Sequence, residues 1–382
     1  MMNKKCKVVV AIDSLKGSIS SIDAGNAIAA GIKKAGEADV TVMNMADGGE
    51  GTMDALTCSL NGKKVHCIVK GPSGEKVTAE YGIVKENKLA IIEIASAVGI
   101  TLKKEKHPDI YTSYGVGELI AHGISAGCRN FIIGLGGSAT NDGGLGMLKA
   151  LGYEFYDKWG NTIESGYSSL NKIHNISDKN KLKALDSCTF KIACDVDNPL
   201  MGKNGATYIY GPQKGILAEQ LGEAEQAMKH YATLTNEFNG SDYVDYPGAG
   251  AAGGMGFAFL SYLNGKIQPG IDLVMEIIEL EKNLKDAQIV ITGEGRIDGQ
   301  SVHGKTPVGV AKLAHKHGAL VIALAGSLTE EAYQCNHYGI DALFPILPSV
   351  MTLEDAMDTD NVKKNLSNTA EQIFRLIFQL MK

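Results

Sequence analysis

Five glycine-rich stretches place acids, lysines or hydroxyls beside what would be exposed backbone amides. They are DSLKGS (13–18), ADGGEGT (46–52), GLGGSATNDGG (134–144), GAGAAGG (248–254) and TGEGRIDGQSVHGKT (292–306). Phosphoryl transfer needs this combination. Amides and lysines hold phosphate, carboxylates hold Mg²⁺, and one carboxylate takes the proton of the acceptor hydroxyl. Asp13, Asp47, Asp142, Asp195, Asp197, Glu294 and Asp298 all fall at or near the ends of apolar runs. In α/β proteins ligands bind at such strand ends. A single loop of this kind reads equally well as turn and cap residues. Five together favour a ligand.

Three of the stretches imitate nucleotide motifs. GQSVHGKT (299–306) has the G-x-x-x-x-G-K-[ST] spacing of a P-loop. A P-loop strand runs straight into its first glycine. Here the apolar run ends at Thr292-Gly293 and EGRID intervenes, although Pro307 suits the first turn of a following helix. The P-loop reading is therefore set aside, while phosphate contact at that helix start is retained. GAGAAG (248–253) has the dinucleotide spacing but follows SDYVDYP, a poor strand. GLGGSA (134–139) follows a good strand but leads into TNDGG rather than an apolar helix. These two segments leave an NAD(P)-dependent oxidoreductase as a remote alternative.

The elements that must position these loops alternate between β-branched runs and helical patterns, as in α/β proteins. KVVVAID (7–13) and VTVMNMA (40–46) read as strands around a helix, with Ser20 and Asp23 at capping-box spacing. From Asn61-Gly62 the character changes to consecutive strands joined by turns. Further strands are expected at 130–136 and 190–195, and helices near 214–237, 251–264 and 270–284. From Asp286 the strand–helix rhythm returns, with helices at 307–317, 328–338 and 366–381. Ser327 and Glu330 again have capping spacing. The expected organisation is a discontinuous parallel-sheet domain, 1–61 plus 285–382, holding an inserted mixed α/β domain, 62–284.

Composition narrows the class. The chain has 382 residues, 44% hydrophobic and 21% charged, with net charge −6 and only three arginines. No basic face for nucleic acid or polybasic stretch for a membrane is expected. Seven cysteines lack C-x-x-C spacing, and the first apolar run is too short for a signal segment. Reduced thiols and a cytoplasmic location are the expectation. The nine histidines show no metal-binding spacing. Oligomeric state is left open, a homodimer being one option.

AIDSLKGSISS, ADGGEGT, GLGGSATNDGGLGML, CDVDNPLMGKNGATYIYGPQKG, PGAGAAGGMGFA and TGEGRIDGQSVHGKTPVGVA together resemble the type-1 glycerate kinase family, in the same order over nearly the whole chain. One departure is Leu15, where the family usually has Phe. The resemblance implies ATP-dependent phosphorylation of D-glycerate with Mg²⁺, typically giving 2-phosphoglycerate. Phosphorylation of the 3-hydroxyl is the alternative. It also implies two α/β domains, one of them flavodoxin-like, with the active site in the cleft.

Given that substrate, residue chemistry suggests roles. Arg296 suits the glycerate carboxylate as a bidentate donor. Ser14 and Asp47 are further substrate-binding candidates. Lys16 would meet the transferred phosphate. Asp195 would accept the hydroxyl proton, with Asp47 and Asp298 competing for base and Mg²⁺ roles. Ser138, Asn141 and Asp142, with the amides of Gly136 and Gly137, would hold nucleotide phosphate. Lys214 and Lys305 are further phosphate ligands.

Overall fold

The computed structural model describes residues 5–102, 107–303 and 305–381. The strands, in chain order, are β1 (Cys6–Ile12), β2 (Ala38–Val42), β3 (Lys63–Lys70), β4 (Lys76–Val84), β5 (Leu89–Glu93), β6 (Asn130–Gly134), β7 (Glu154–Tyr156), β8 (Asn175–Ser177), β9 (Thr189–Ala193), β10 (Lys266–Gln268), β11 (Ile289–Ile297), β12 (Leu320–Leu328) and β13 (Ala342–Pro345). They fall in two compact units. One comprises Met1–Asp47, Asp54–Leu60 and Ile271–Lys382, the other Gly48–Met53 and Asn61–Gly270.

The first unit is built on a five-stranded sheet in the order β13-β12-β11-β1-β2, every pair parallel. Renumbered within the unit this is the flavodoxin-like order 2-1-3-4-5, whose direction reverses between β1 and β11. Parallel strands covered on both faces should be apolar almost throughout. β1 is buried at every residue except the half-buried Lys7. Its Val8, Val10 and Ile12 join Ile289, Ile291, Ile322 and Leu324 in one core with Ile28, Ile32, Leu366 and Phe374.

The helix Ser21–Ala35 starts where the sequence suggests. The Ser20 hydroxyl accepts the Asp23 amide at 3.2 Å, a side-chain cap worth about 1 kcal/mol. The second capping pair does not form. β12 runs on to Leu328, so Ser327 is a strand residue, and Thr329 leads into 3₁₀ turns over Glu330–Tyr338 instead of an α-helix.

The second unit holds a six-stranded sheet, β10-β9-β6-β5-β4-β3, and a small β7–β8 ladder. β3, β4 and β5 pair antiparallel; β5, β6, β9 and β10 pair parallel. The expected helix 214–237 is two helices, Ala206–Lys214 and Leu221–Asn239. Gly215 ends the first in the left-handed conformation, φ 106°. No helix among the described residues is long and apolar enough to cross a membrane.

Candidate active site

In the first unit the carboxyl ends of all five strands face one cavity of about 440 Å³. That is where an open parallel sheet offers a crevice, at the reversal between β1 and β11. Asp13, Ser14 and Lys16 follow β1, Asp47 follows β2, and Glu294, Arg296 and Asp298 lie at the end of β11. Lys305 reaches in from the start of the helix Thr306–His315. Four carboxylates and three cations therefore share the site.

The ionic contacts are specific. Lys16 Nζ pairs with Asp47 Oδ2 at 2.8 Å. Arg296 Nε stands 3.7 Å from Asp298 Oδ2, and its side chain is two-thirds exposed (66%). Lys305 Nζ lies 3.9 Å from both Glu294 and Asp298. The Asp298 Oδ1 also accepts the Gln300 amide at 3.0 Å. Burial pushes the Glu294 carboxyl above its ordinary value, against a 2.6 Å bond from the Ser301 hydroxyl and the charge of Lys305.

Asp13 is the deepest of these acids, 3% exposed. Its Oδ1 accepts the Ser14 amide at 2.7 Å and its Oδ2 accepts the Thr306 hydroxyl at 3.0 Å. Burial, then repulsion from Asp47, pushes its carboxyl up to about 7. Burial pulls the Lys16 ammonium down, but Asp47, Asp13 and Glu294 together carry it above its ordinary value.

These contacts dispose of the P-loop geometry. β11 runs to Ile297 and the helix begins only at Thr306. The threonine that would face Mg²⁺ in a P-loop is instead fully buried against Asp13. Gly304 of the motif lies outside the described residues.

In the second unit a cavity of about 320 Å³ opens beyond β6 and β9. Gly136, Gly137, Ser138, Asp195 and Lys214 line it. Lys214 is 2% exposed and donates to Ser138 Oγ at 3.0 Å and to the Thr140 carbonyl at 2.7 Å. Burial pulls its ammonium down to about 7, with Asp142 partly restoring it. The N–H groups of Gly136 and Gly137 donate to no acceptor among the described residues. Asp195 is exposed at the end of β9, its Oδ1 accepting the Gly270 amide at 2.8 Å.

Asn141 and Asp142 do not line this cavity. Asp142 is fully buried and accepts from the Ser113 amide and hydroxyl and the Gly144 and Gly146 amides, at 2.8–3.2 Å. An acid surrounded by donors organises the loop rather than meeting an anion. Asn141 is also buried, its Nδ2 on Thr207 Oγ1 at 3.2 Å. Lys305, grouped by sequence with the nucleotide ligands, stands in the first unit's cavity.

The glycine-rich loops 134–144 and 248–254, which carry the two dinucleotide look-alikes, pack on each other. Gly143 N–H donates to Gly253 O at 2.9 Å. A Cβ on Gly253 would lie 2.1 Å from the Thr140 oxygen, and one on Gly254 2.8 Å from the Gly143 Cα. Close backbone approach and positive φ explain the glycines.

Asp13 and Glu294, to which the sequence assigns no role, also line the first unit's cavity. Their position at strand ends is legible in the sequence, but the burial of Asp13 and its bond to Thr306 are not.

The glycerate kinase family profile matches residues 8–378. The chain belongs to the glycerate kinase family. A "Glycerate kinase" of Bacillus subtilis (strain 168) is 43% identical over 370 residues, 96% of each chain. A "Glycerate 2-kinase" of Escherichia coli (strain K12) is 43% identical over 95% of this chain and 97% of its own. The crystal structure of a candidate glycerate kinase 2 from Salmonella typhimurium LT2 matches with a TM-score of 0.91 at 40% identity, covering 99% of this chain and all of that one. For a glycerate kinase the two cavities divide by chemistry. One offers amides and a buried lysine, the other acids with cations.

Proposed function

We propose that this kinase phosphorylates D-glycerate with ATP and Mg²⁺ on the 2-hydroxyl, giving 2-phosphoglycerate and ADP. The observation that carries the reading is the first unit's cavity, which Ser14, Lys16, Arg296 and Lys305 line at the carboxyl ends of the sheet. Arg296 is exposed enough to take the glycerate carboxylate, and Ser14 and Asp47 would orient the hydroxyls. The relative from Escherichia coli named a glycerate 2-kinase supports the choice of hydroxyl.

The second unit's cavity would hold the nucleotide phosphates. Its unengaged Gly136 and Gly137 amides, the Ser138 hydroxyl and Lys214 are donors of the kind phosphate requires. Mg²⁺ prefers one or two carboxylates together with substrate phosphates. Asp47 and Asp298 fit that donor set and would hold it, neutralising phosphate charge when it is bound.

In the transfer the 2-hydroxyl oxygen bonds to the γ-phosphorus. The bond from that phosphorus to the β,γ-bridging oxygen breaks, and the hydroxyl proton passes to a carboxylate. Asp195 is the proposed acceptor, and Lys16 would steady the phosphoryl oxygens. A cytoplasmic setting accords with seven cysteines that are all free thiols.

Release of ADP with MgATP and D-glycerate tests the reading. It should depend on D-glycerate. Arg296→Lys should raise KM for glycerate about 10- to 100-fold, because lysine lacks the planar fork. Asp195→Asn should cut kcat by about 10²- to 10⁴-fold with MgATP binding retained. ADP release indifferent to glycerate would contradict the proposal, and unaltered kcat in Asp195→Asn would remove that base.

A further inference from the structure

The first unit's cavity has two unlike sides. The polar side carries the acids and cations described above. The other is apolar and comes from one stretch of chain after β13, with Ile346, Leu347, Leu353, Ala356, Met357 and Val362 facing the cavity. This wall is anchored beside the loop that carries Lys16. The Met357 Cε lies 2.9 Å from where a Cβ on Gly17 would stand. The Thr359 hydroxyl donates to the Ser18 carbonyl at 2.9 Å. Thr352 caps the helix Leu353–Met357 by accepting the Asp355 amide.

Glycerate has nothing to lay on such a wall. Each of its three carbons bears oxygen, and its carboxylate and hydroxyls are matched by the polar side. A cavity of about 440 Å³ falls within the range, roughly 300–1,000 Å³, that accommodates larger organic ligands. Apolar surface of this kind gains by being covered with apolar substituents.

We propose that the acceptor pocket also takes 2-hydroxy acids longer than glycerate, with an apolar group beyond C3 lying against residues 346–362. The inference rests on the proposed function, since it places glycerate in this cavity. The reaction is the same transfer: the 2-hydroxyl oxygen gains the phosphoryl group, ADP leaves, and the proton goes to the same carboxylate.

The test compares kcat/KM for 3-O-propyl-D-glycerate and D-glycerate on the full chain. The wild-type ratio should lie within about tenfold of one. Leu353→Asp puts a charge on the wall at a residue that is 76% exposed, so the fold should tolerate it. Ala356→Phe fills the same space by another means. Each should lower the ratio by about tenfold or more, as occurs when an apolar pocket loses its complement. Wild-type enzyme that phosphorylates D-glycerate but prefers it over the propyl ether by more than about 10³-fold would overturn the inference. So would a ratio unchanged in both variants. Failure on D-glycerate itself would instead bring down the proposed function, and this inference with it.

Discussion

Asp13 and Lys214 are the two buried charges that define the cavities, and burial acts on them in opposite senses. The Asp13 carboxyl rises from 3.8 to about 7. Between those values the folded chain holds a proton that the unfolded chain has released, so stability falls as pH rises through that window and the cost is complete above about 7. Asp13→Asn removes the charge while keeping an acceptor oxygen. Without Mg²⁺, it should raise the urea midpoint relative to wild type at pH 8, and the difference should shrink by pH 4. An offset independent of pH would show that ionisation of Asp13 is not the cost. Lys214 behaves in reverse. Its ammonium falls to about 7 because it is buried, so much of it is neutral at pH 8. Phosphate arriving beside it favours the charged form. Nucleotide binding at pH 8 should therefore take up protons, seen in calorimetry as a binding heat that varies with the buffer's ionisation enthalpy. A heat independent of buffer would contradict phosphate contact at Lys214.

At the scale of elements, close packing of helices frames the first unit. Gly31, in the helix Ser21–Ala35, faces the C-terminal helix Thr359–Leu380. An added Cβ would sit 2.0 Å from the Ser367 carbonyl oxygen, which is backbone and has little room to shift. Gly31→Ala should thus destabilise the fold by about 1–3 kcal/mol despite alanine's better helix propensity, and equal or greater stability in urea would refute that contact. Sequence made much of this level legible. The buried strands β1, β6, β9, β11 and β12 announce themselves as β-branched runs, and Ser20 with Asp23 marks a helix start that the structure keeps. Ser327 with Glu330 has the same spacing and fails, because pairing with β11 extends β12 past Ser327 and outweighs a local cap. Asp142 illustrates the limit at the site. Its loop is polar and glycine-rich like a phosphate cradle. Only the fold reveals that its carboxylate turns inward to four donors while Gly136, Gly137 and Ser138 line the cavity. Asp13 is the converse, a buried strand-end acid that accepts the hydroxyl of Thr306, 293 residues away.

For the whole molecule, the proposed function assigns each unit a different part of the chemistry. The first unit's cavity lies at the ends of an all-parallel sheet and gathers carboxylates with Lys16, Arg296 and Lys305. The second unit's cavity lies beyond β6 and β9 and presents backbone amides with a buried lysine. A phosphoryl donor and a hydroxy-acid acceptor make those two separate demands, and a kinase must satisfy both in one turnover. The regiochemistry is the sharpest consequence of the proposed function. ³¹P NMR of the purified protein with MgATP and D-glycerate reads it directly. The predicted result is a new phosphomonoester resonance that matches 2-phosphoglycerate and grows as ADP appears. A resonance matching 3-phosphoglycerate would contradict the proposed regiochemistry, and no new phosphomonoester would contradict glycerate phosphorylation altogether.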